Sequence, residues 1–145
     1  MTYMQQAIEQ ALLAQKNNEV PIGAVIVHQG QVIARSHNLV ETQKNPLAHA
    51  EILVIQEACA ILNTTRLVNC DLYVTLEPCT MCAGAIAHSR LRRVYFGAFD
   101  PKGGAVDHGV RFFSQPTCLH HPEIYGGMAE HDCQRLLKAF FIDKR

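Results

Sequence analysis

Two short apolar strands, LYVT (72–75) and VYFG (94–97), flank CTMCAGAIA (79–87), a run of small residues that reads as a helix able to pack closely on a sheet. Val, Tyr and Phe suit buried strands, so this unit belongs at the centre of a layered fold. The flanking segments extend it. Met4, Ala7, Ile8, Ala11 and Leu12 recur at i, i+3, i+4, i+7 and i+8, which predicts an amphipathic first helix. IGAVIV (22–27) and VIARSH (32–37) surround Gln29-Gly30 and predict a β-hairpin. From Ala48 to Leu62 the chain is apolar on nearly every face, which predicts a helix buried on more than one side. Glu123–Tyr125 fits a short edge strand, and Ala129, Cys133, Leu136, Leu137 and Phe140 mark a last amphipathic helix. This alternation predicts an α/β fold with helices on both faces of a mixed sheet.

The length of 145 residues fits one domain, with no internal repeat or linker. The apolar runs are too short for a membrane span, and MTYMQQAIEQ lacks the pattern of a secretory signal, so the expected location is the cytoplasm. Lys plus Arg and Asp plus Glu balance at 13 each, so any nucleic-acid contact must come from a local basic patch. Arg90, Arg92, Arg93, Lys102 and the Lys144-Arg145 tail are candidates. Six cysteines in a reducing compartment argue against disulfides. Cys59, Cys70, Cys118 and Cys133 sit among apolar residues and read as packing residues.

Cys79 and Cys82 differ. They form Pro78-Cys-x-x-Cys at the start of one helix, while His49-Ala50-Glu51 opens another. Zinc takes imidazole nitrogen and thiolate sulfur, and a catalytic zinc keeps one of four positions for water. Residues i and i+3 of a first turn project to one side, so His49, Cys79 and Cys82 are assigned to one zinc ion. Two helix N-termini aimed at the metal, each worth roughly half a positive charge, favour the deprotonated thiols. Glu51 as a fourth ligand would close the site. Beside the open position it can instead take a proton from water and pass it to a leaving nitrogen, which makes it the candidate general acid/base. A redox CxxC pair and a structural zinc closed by Cys70 or His88 are the plainer readings, and neither gives Glu51 a role. The His-x-Glu and Pro-Cys-x-x-Cys pair is the signature of zinc nucleobase deaminases.

Beyond that motif, EVPIGAVIV (19–27), NPLAHAEILVIQEA (45–58), LYVTLEPCTMCAGAIAHSR (72–90) and RRVYFGAFDPKGGAV (92–106) resemble the bacterial tRNA-specific adenosine deaminase family. The resemblance implies a single deaminase domain over 1–145, built as a three-layer α/β/α sandwich on a five-stranded mixed sheet of cytidine deaminase-like type. It implies a homodimer with one zinc per subunit. The implied reaction is hydrolytic conversion of adenosine to inosine at the wobble position of a tRNA anticodon stem-loop, whose bases are easily splayed out. By the same resemblance Asn38 lies on the purine edge, Val20 and the backbone at Ala50 complete the pocket, and Asp100 faces the nucleic acid. Residues 107–128 depart from the family's usual wording, which touches the fifth strand and part of the RNA surface. Two other functions remain open at this stage. One is a free-base or nucleoside deaminase of the same superfamily, acting on guanine, cytosine or cytidine. The other is a non-catalytic zinc-stabilised RNA-binding module, which would have no use for Glu51.

Overall fold

The structure, a computed structural model of the chain, describes residues 1–143. Helix α1 (Tyr3–Lys16) precedes the hairpin β1 (Gly23–His28) and β2 (Gln31–His37). A single turn of helix, α2 (Val40–Gln43), leads to α3 (Ala50–Leu62). Then follow β3 (Cys70–Leu76), α4 (Thr80–His88), β4 (Arg93–Ala98), a one-turn 3₁₀ helix (Phe112–Ser114), β5 (Glu123–Tyr125) and α5 (Glu130–Asp143). The five strands form one sheet in the order β2-β1-β3-β4-β5. β1 is antiparallel to both β2 and β3, while β3, β4 and β5 run parallel, so the sheet is mixed as predicted.

Local chemistry explains the boundaries. The Thr2 hydroxyl oxygen accepts a hydrogen bond from the Gln5 amide while Gln5 Oε1 accepts one from the Thr2 amide, a capping box that starts α1. Gln29 and Gly30 both take positive φ, 52° and 77°, which matches the right-handed twist of the two hairpin strands. Alternation along the strands then separates two cores. Ala24, Ile26, Leu72, Val74, Val94 and Phe96 pack with Val54, Ala58 and Ile86 under α3 and α4. Val25 points to the opposite face and meets Met4 and Ala7 of α1. Helices therefore cover both faces of the sheet, and the predicted three layers are present.

Several predicted boundaries shift. The long apolar helix begins at Ala50, with Ala48 and His49 outside it, and its fully buried residues (Ala50, Glu51, Val54, Ile55, Ala58) lie on one face. Ile61, in the last turn of the helix, is 55% exposed. Pro78 lies one residue before the N-cap of α4 rather than within its first turn. α2 and the 3₁₀ turn, too short for a periodic signal, were not anticipated. Cys70, Cys118 and Cys133 are buried and Cys59 half-buried, all as free thiols. Cys133 seats against Gly97, where an added Cβ would also lie 2.8 Å from the Thr75 carbonyl oxygen.

Gly23 marks the tightest helix–sheet approach: a Cβ there would collide with the Ala7 carbonyl oxygen and lie 2.5 Å from the Ala11 amide nitrogen. Both contacts are rigid backbone, so neither can yield cheaply. Gly23→Ala is expected to lower stability by about 3 kcal/mol, as overpacking of a close-packed core does. Urea denaturation checks this, and an unchanged midpoint would contradict the close α1–β1 contact.

Candidate active site

The site forms where β3 ends. Leu76 closes the strand, Glu77 and Pro78 turn the chain, and Cys79 becomes the N-cap of α4 with extended backbone (φ −76°, ψ 177°). His49 holds the same position on α3 (φ −72°, ψ 150°). N-cap side chains ordinarily accept from the first-turn amides. Here neither does, and both turn toward one point between the two helix starts. Ligands collect at the carboxyl ends of strands in open α/β sheets for this reason: helix N-termini gather there.

His49 Nδ1 lies 3.7 Å from Cys79 Sγ and 3.5 Å from Cys82 Sγ. The three donor atoms all fall within 4.8 Å of one another, and they are the one such cluster among the described residues. Zinc bonds of about 2.3 Å to sulfur and about 2.0 Å to nitrogen, set at a tetrahedral angle, place N and S about 3.5 Å apart. Both observed edges meet that spacing. The donor set, one imidazole nitrogen and two sulfurs, therefore fits zinc in charge, softness and size.

The electrostatics agree. The Cys82 thiol donates to Cys79, and with His49 beside it this outweighs burial and pulls Cys79 down to about 4. Its thiolate in turn raises His49, against the opposite pull of burial. Cys82 is pushed upward, first by the neighbouring Cys79 sulfur and then by burial. Such a sulfur needs a cation to become a ligand. Glu51, 4% exposed on the first turn of α3, is pushed up to about 7 by burial, with the Cys79 charge adding to the rise.

A cavity of about 310 Å³ opens beside His49, at the small end of the range for ligand pockets. Val20, Ile22, Asn38, Ala50 and Phe140 line it, so Asn38, Val20 and Ala50 are brought to one place with the donor cluster. Asn38 is 6% exposed, and its Oδ1 is the buried side-chain oxygen without a hydrogen-bond partner among the described residues. A buried acceptor left unsatisfied is a site for a donor from outside the chain. The cavity edge is held by Glu19, which sequence reasoning missed. Its buried carboxylate accepts from the Glu41 and Thr42 amides (3.1 and 2.6 Å) and the Thr42 hydroxyl (2.5 Å). An acid inside the apolar stretch EVPIGAV was the available signal.

Glu77 was missed too, although TLEPC places an acid between buried residues. Its side chain is fully buried and receives hydrogen bonds from the loop that follows β4. Asp100 is in that loop, half-buried, with Oδ1 accepting from the Lys102 and Gly103 amides, while Lys102 is exposed. Of the basic candidates, Arg92 is already spent in a two-point ion pair with Asp71 at 3.0 and 2.9 Å, and Arg93 contacts Asp71 and Glu123. The sequence concealed this because Asp71 meets Arg93 only through β3–β4 pairing. Lys144 and Arg145 lie outside the described residues.

The chain matches the family model described as MafB19-like deaminase over residues 1–141. It is 56% identical over 143 residues to the tRNA-specific adenosine deaminase of Agrobacterium fabrum (strain C58), covering 99% of this chain and 94% of that one. It is 50% identical over 143 residues to the tRNA-specific adenosine deaminase of Bacillus subtilis (strain 168), covering 99% and 89%. A solved structure from work on A-to-I editing by tRNA:A34 deaminases at the wobble position superimposes with a TM-score of 0.92 at 56% identity, covering 93% and 98% of the two chains. The guanine deaminase of Bacillus subtilis superimposes with a TM-score of 0.64 at 38% identity over 67% of this chain and 62% of that one.

Removing either sulfur should empty the site, whereas a cysteine outside it should not matter. Cys79→Ala and Cys82→Ala are expected to lose bound zinc and melt at lower temperature, while Cys59→Ala keeps the wild-type content. Elemental analysis of the purified variants checks this; equal zinc in all three would overturn the ligand set.

Proposed function

The chain belongs to the tRNA-specific adenosine deaminase family, and from that membership we propose that His49, Cys79 and Cys82 hold one zinc ion with which Glu51 converts adenosine to inosine at the wobble position of a tRNA. The single observation that carries this reading is the donor triangle at zinc spacing with a buried carboxylate two residues from its histidine. When bound, zinc lowers the pKa of water to about 7 and so supplies the nucleophile at neutral pH.

The chain's own residues do the rest. Glu51 accepts a proton from the attacking water and delivers it to N1 of the purine, then takes the second proton from the oxygen added at C6 and passes it to the departing amine as the C6–N bond breaks. Adenosine and water leave as inosine and ammonia. A carboxylate shielded from solvent suits a two-way shuttle, since no bulk water competes for the proton. Asn38 holds the purine edge through Oδ1, which has no hydrogen-bond partner among the described residues. Val20 and the backbone at Ala50 form the walls, and Asp100 stands on the nucleic-acid side.

An anticodon stem-loop is the form in which the substrate reaches a cavity of this size: one flipped nucleoside enters and its neighbours stay outside. The enzyme works in the cytoplasm, where tRNA is, and no helix of the described residues is long and apolar enough to cross a membrane. It acts as a homodimer. Ile52, Ile55, Cys59 and Ala85 line an apolar groove on the outer side of α3 and α4, the surface a second copy would cover. Sedimentation should give twice the chain mass of 16.2 kDa.

The likeness to guanine deaminase gives the free-base reading a specific footing, so the test compares substrates. Zinc-loaded protein is incubated with an anticodon stem-loop and with free adenine, guanine, cytosine and their nucleosides. Inosine in the stem-loop alone is expected; ammonia from free guanine would move the assignment to a base deaminase. Glu51→Gln should reduce turnover at least about a thousandfold with zinc retained, in line with loss of a general acid/base. Asn38→Ala should lower kcat/KM about ten- to a hundredfold, the worth of one buried hydrogen bond.

A further inference from the structure

Glu77 is 2% exposed and lies outside the cluster of His49, Glu51, Cys79 and Cys82, yet its surroundings are built around it. Oε1 accepts from the Asp100 amide at 3.0 Å and the His108 Nδ1 at 2.8 Å. Oε2 accepts from the amides of Val106, Asp107 and His108 at 3.2, 2.9 and 3.1 Å. Every partner is an N–H donor, so the cage accepts a carboxylate and nothing that must donate. The Gly104 backbone closes it: a Cβ there would lie 2.5 Å from the Glu77 carboxyl carbon and 2.6 Å from Oε2.

The caged segment 100–108 leaves β4 beside the start of α4, where the Ala105 amide donates to the Pro78 carbonyl at 2.9 Å. It therefore forms the rim of the active site on the α4 side, and it presents Lys102 and Asp107 to solvent. A cavity of about 310 Å³ admits one nucleoside, so the flanking nucleotides of a polynucleotide must rest on the surrounding rim. The shape of this rim is not set by a helix or strand. Four of its backbone amides, those of Asp100, Val106, Asp107 and His108, are satisfied by one buried acid.

We propose that Glu77 is a positioning residue for RNA: its carboxylate, with His108, fixes the 100–108 rim in the form that receives the nucleotides beside the reacting adenosine. This rests on the tRNA deaminase reading above. Because Glu77 touches neither Glu51 nor the purine cavity, it governs how well polynucleotide binds and leaves the chemical step alone.

Glu77→Gln is the direct test, since it keeps shape but turns an NH₂ group toward amide donors. Three quantities are measured on zinc-loaded protein: affinity for an anticodon stem-loop by fluorescence anisotropy, kcat and KM for the same stem-loop, and hydrogen exchange of the amides at 100 and 106–108. The expected result is Kd and KM raised about tenfold, kcat within about twofold, zinc content unchanged and faster exchange at those amides. A fall in kcat with unchanged KM, a parallel loss of zinc, or rim exchange equal to wild type would each overturn the proposal. Should Glu77→Gln not fold, His108→Ala removes one bond of the cage at a partly exposed ring. It should raise Kd and KM about threefold at constant kcat, and unchanged affinity there overturns the proposal as well. Absence of wild-type turnover on the stem-loop would contradict the deaminase reading instead, and the binding and exchange measurements would still decide the role of Glu77.

Discussion

Two helices begin within reach of one another, and each spends its N-cap side chain on that meeting point instead of on its own amides. An α-helix starts with amides that no carbonyl inside it can satisfy, and the aligned peptide dipoles make that end positive. At α3 and α4 the usual capping oxygen is replaced by His49 and Cys79, neither of which caps. The two positive ends therefore face a space filled by sulfur and imidazole. That field favours a thiolate at Cys79, and two sulfurs with an imidazole 3.5 and 3.7 Å away make a place for a divalent cation. The rest of the fold holds this junction: β3 delivers Cys79, α3 rests on the hairpin sheet, and α4 spans the parallel step from β3 to β4.

From that junction the neighbouring parts divide by task. On the β1 and β2 side, Val20, Ile22 and Asn38 form a mostly apolar cavity with one unsatisfied acceptor, suited to a flat heterocycle with few polar edges. On the β4 side, the 100–108 loop makes a rim of backbone and exposed charge. Two buried acids serve these two sides in the same manner. Glu19 holds α2 against the cavity, and Glu77 gathers the loop. For each, burial raises the carboxyl group and the hydrogen bonds it receives bring it below its ordinary value, so it stays charged in the fold. A chain that leaves segments without regular structure beside its active site needs such anchors, because backbone amides away from water must find acceptors.

Much of this was legible from the sequence for a physical reason: strong periodicity and short-range spacing encode it. The hairpin, β3, β4, α1 and α5 lie where the apolar pattern put them, and the His-x-Glu and Cys-x-x-Cys spacings survive folding because both are fixed by single helical turns. Features that depend on partners far along the chain were not legible. Arg92 and Arg93 read as a basic patch until Asp71 and Glu123 came beside them across the sheet. Glu77 meets donors 23 to 31 residues away, in a stretch with little pattern of its own. The N-cap roles of His49 and Cys79 shifted the helix starts by a residue or two, because a histidine and a cysteine stand in place of the Ser, Thr, Asp or Asn that normally announces such a start.

The central claim is a three-ligand metal centre whose fourth corner is open, set between two helix N-termini. X-ray absorption at the zinc edge of the native protein measures that shell directly. The account predicts two sulfurs at about 2.3 Å and two lighter atoms at about 2.0 Å, one from imidazole and one from solvent. A shell with three or four sulfurs, or with two imidazoles and no solvent, would mean a closed structural site and would contradict it.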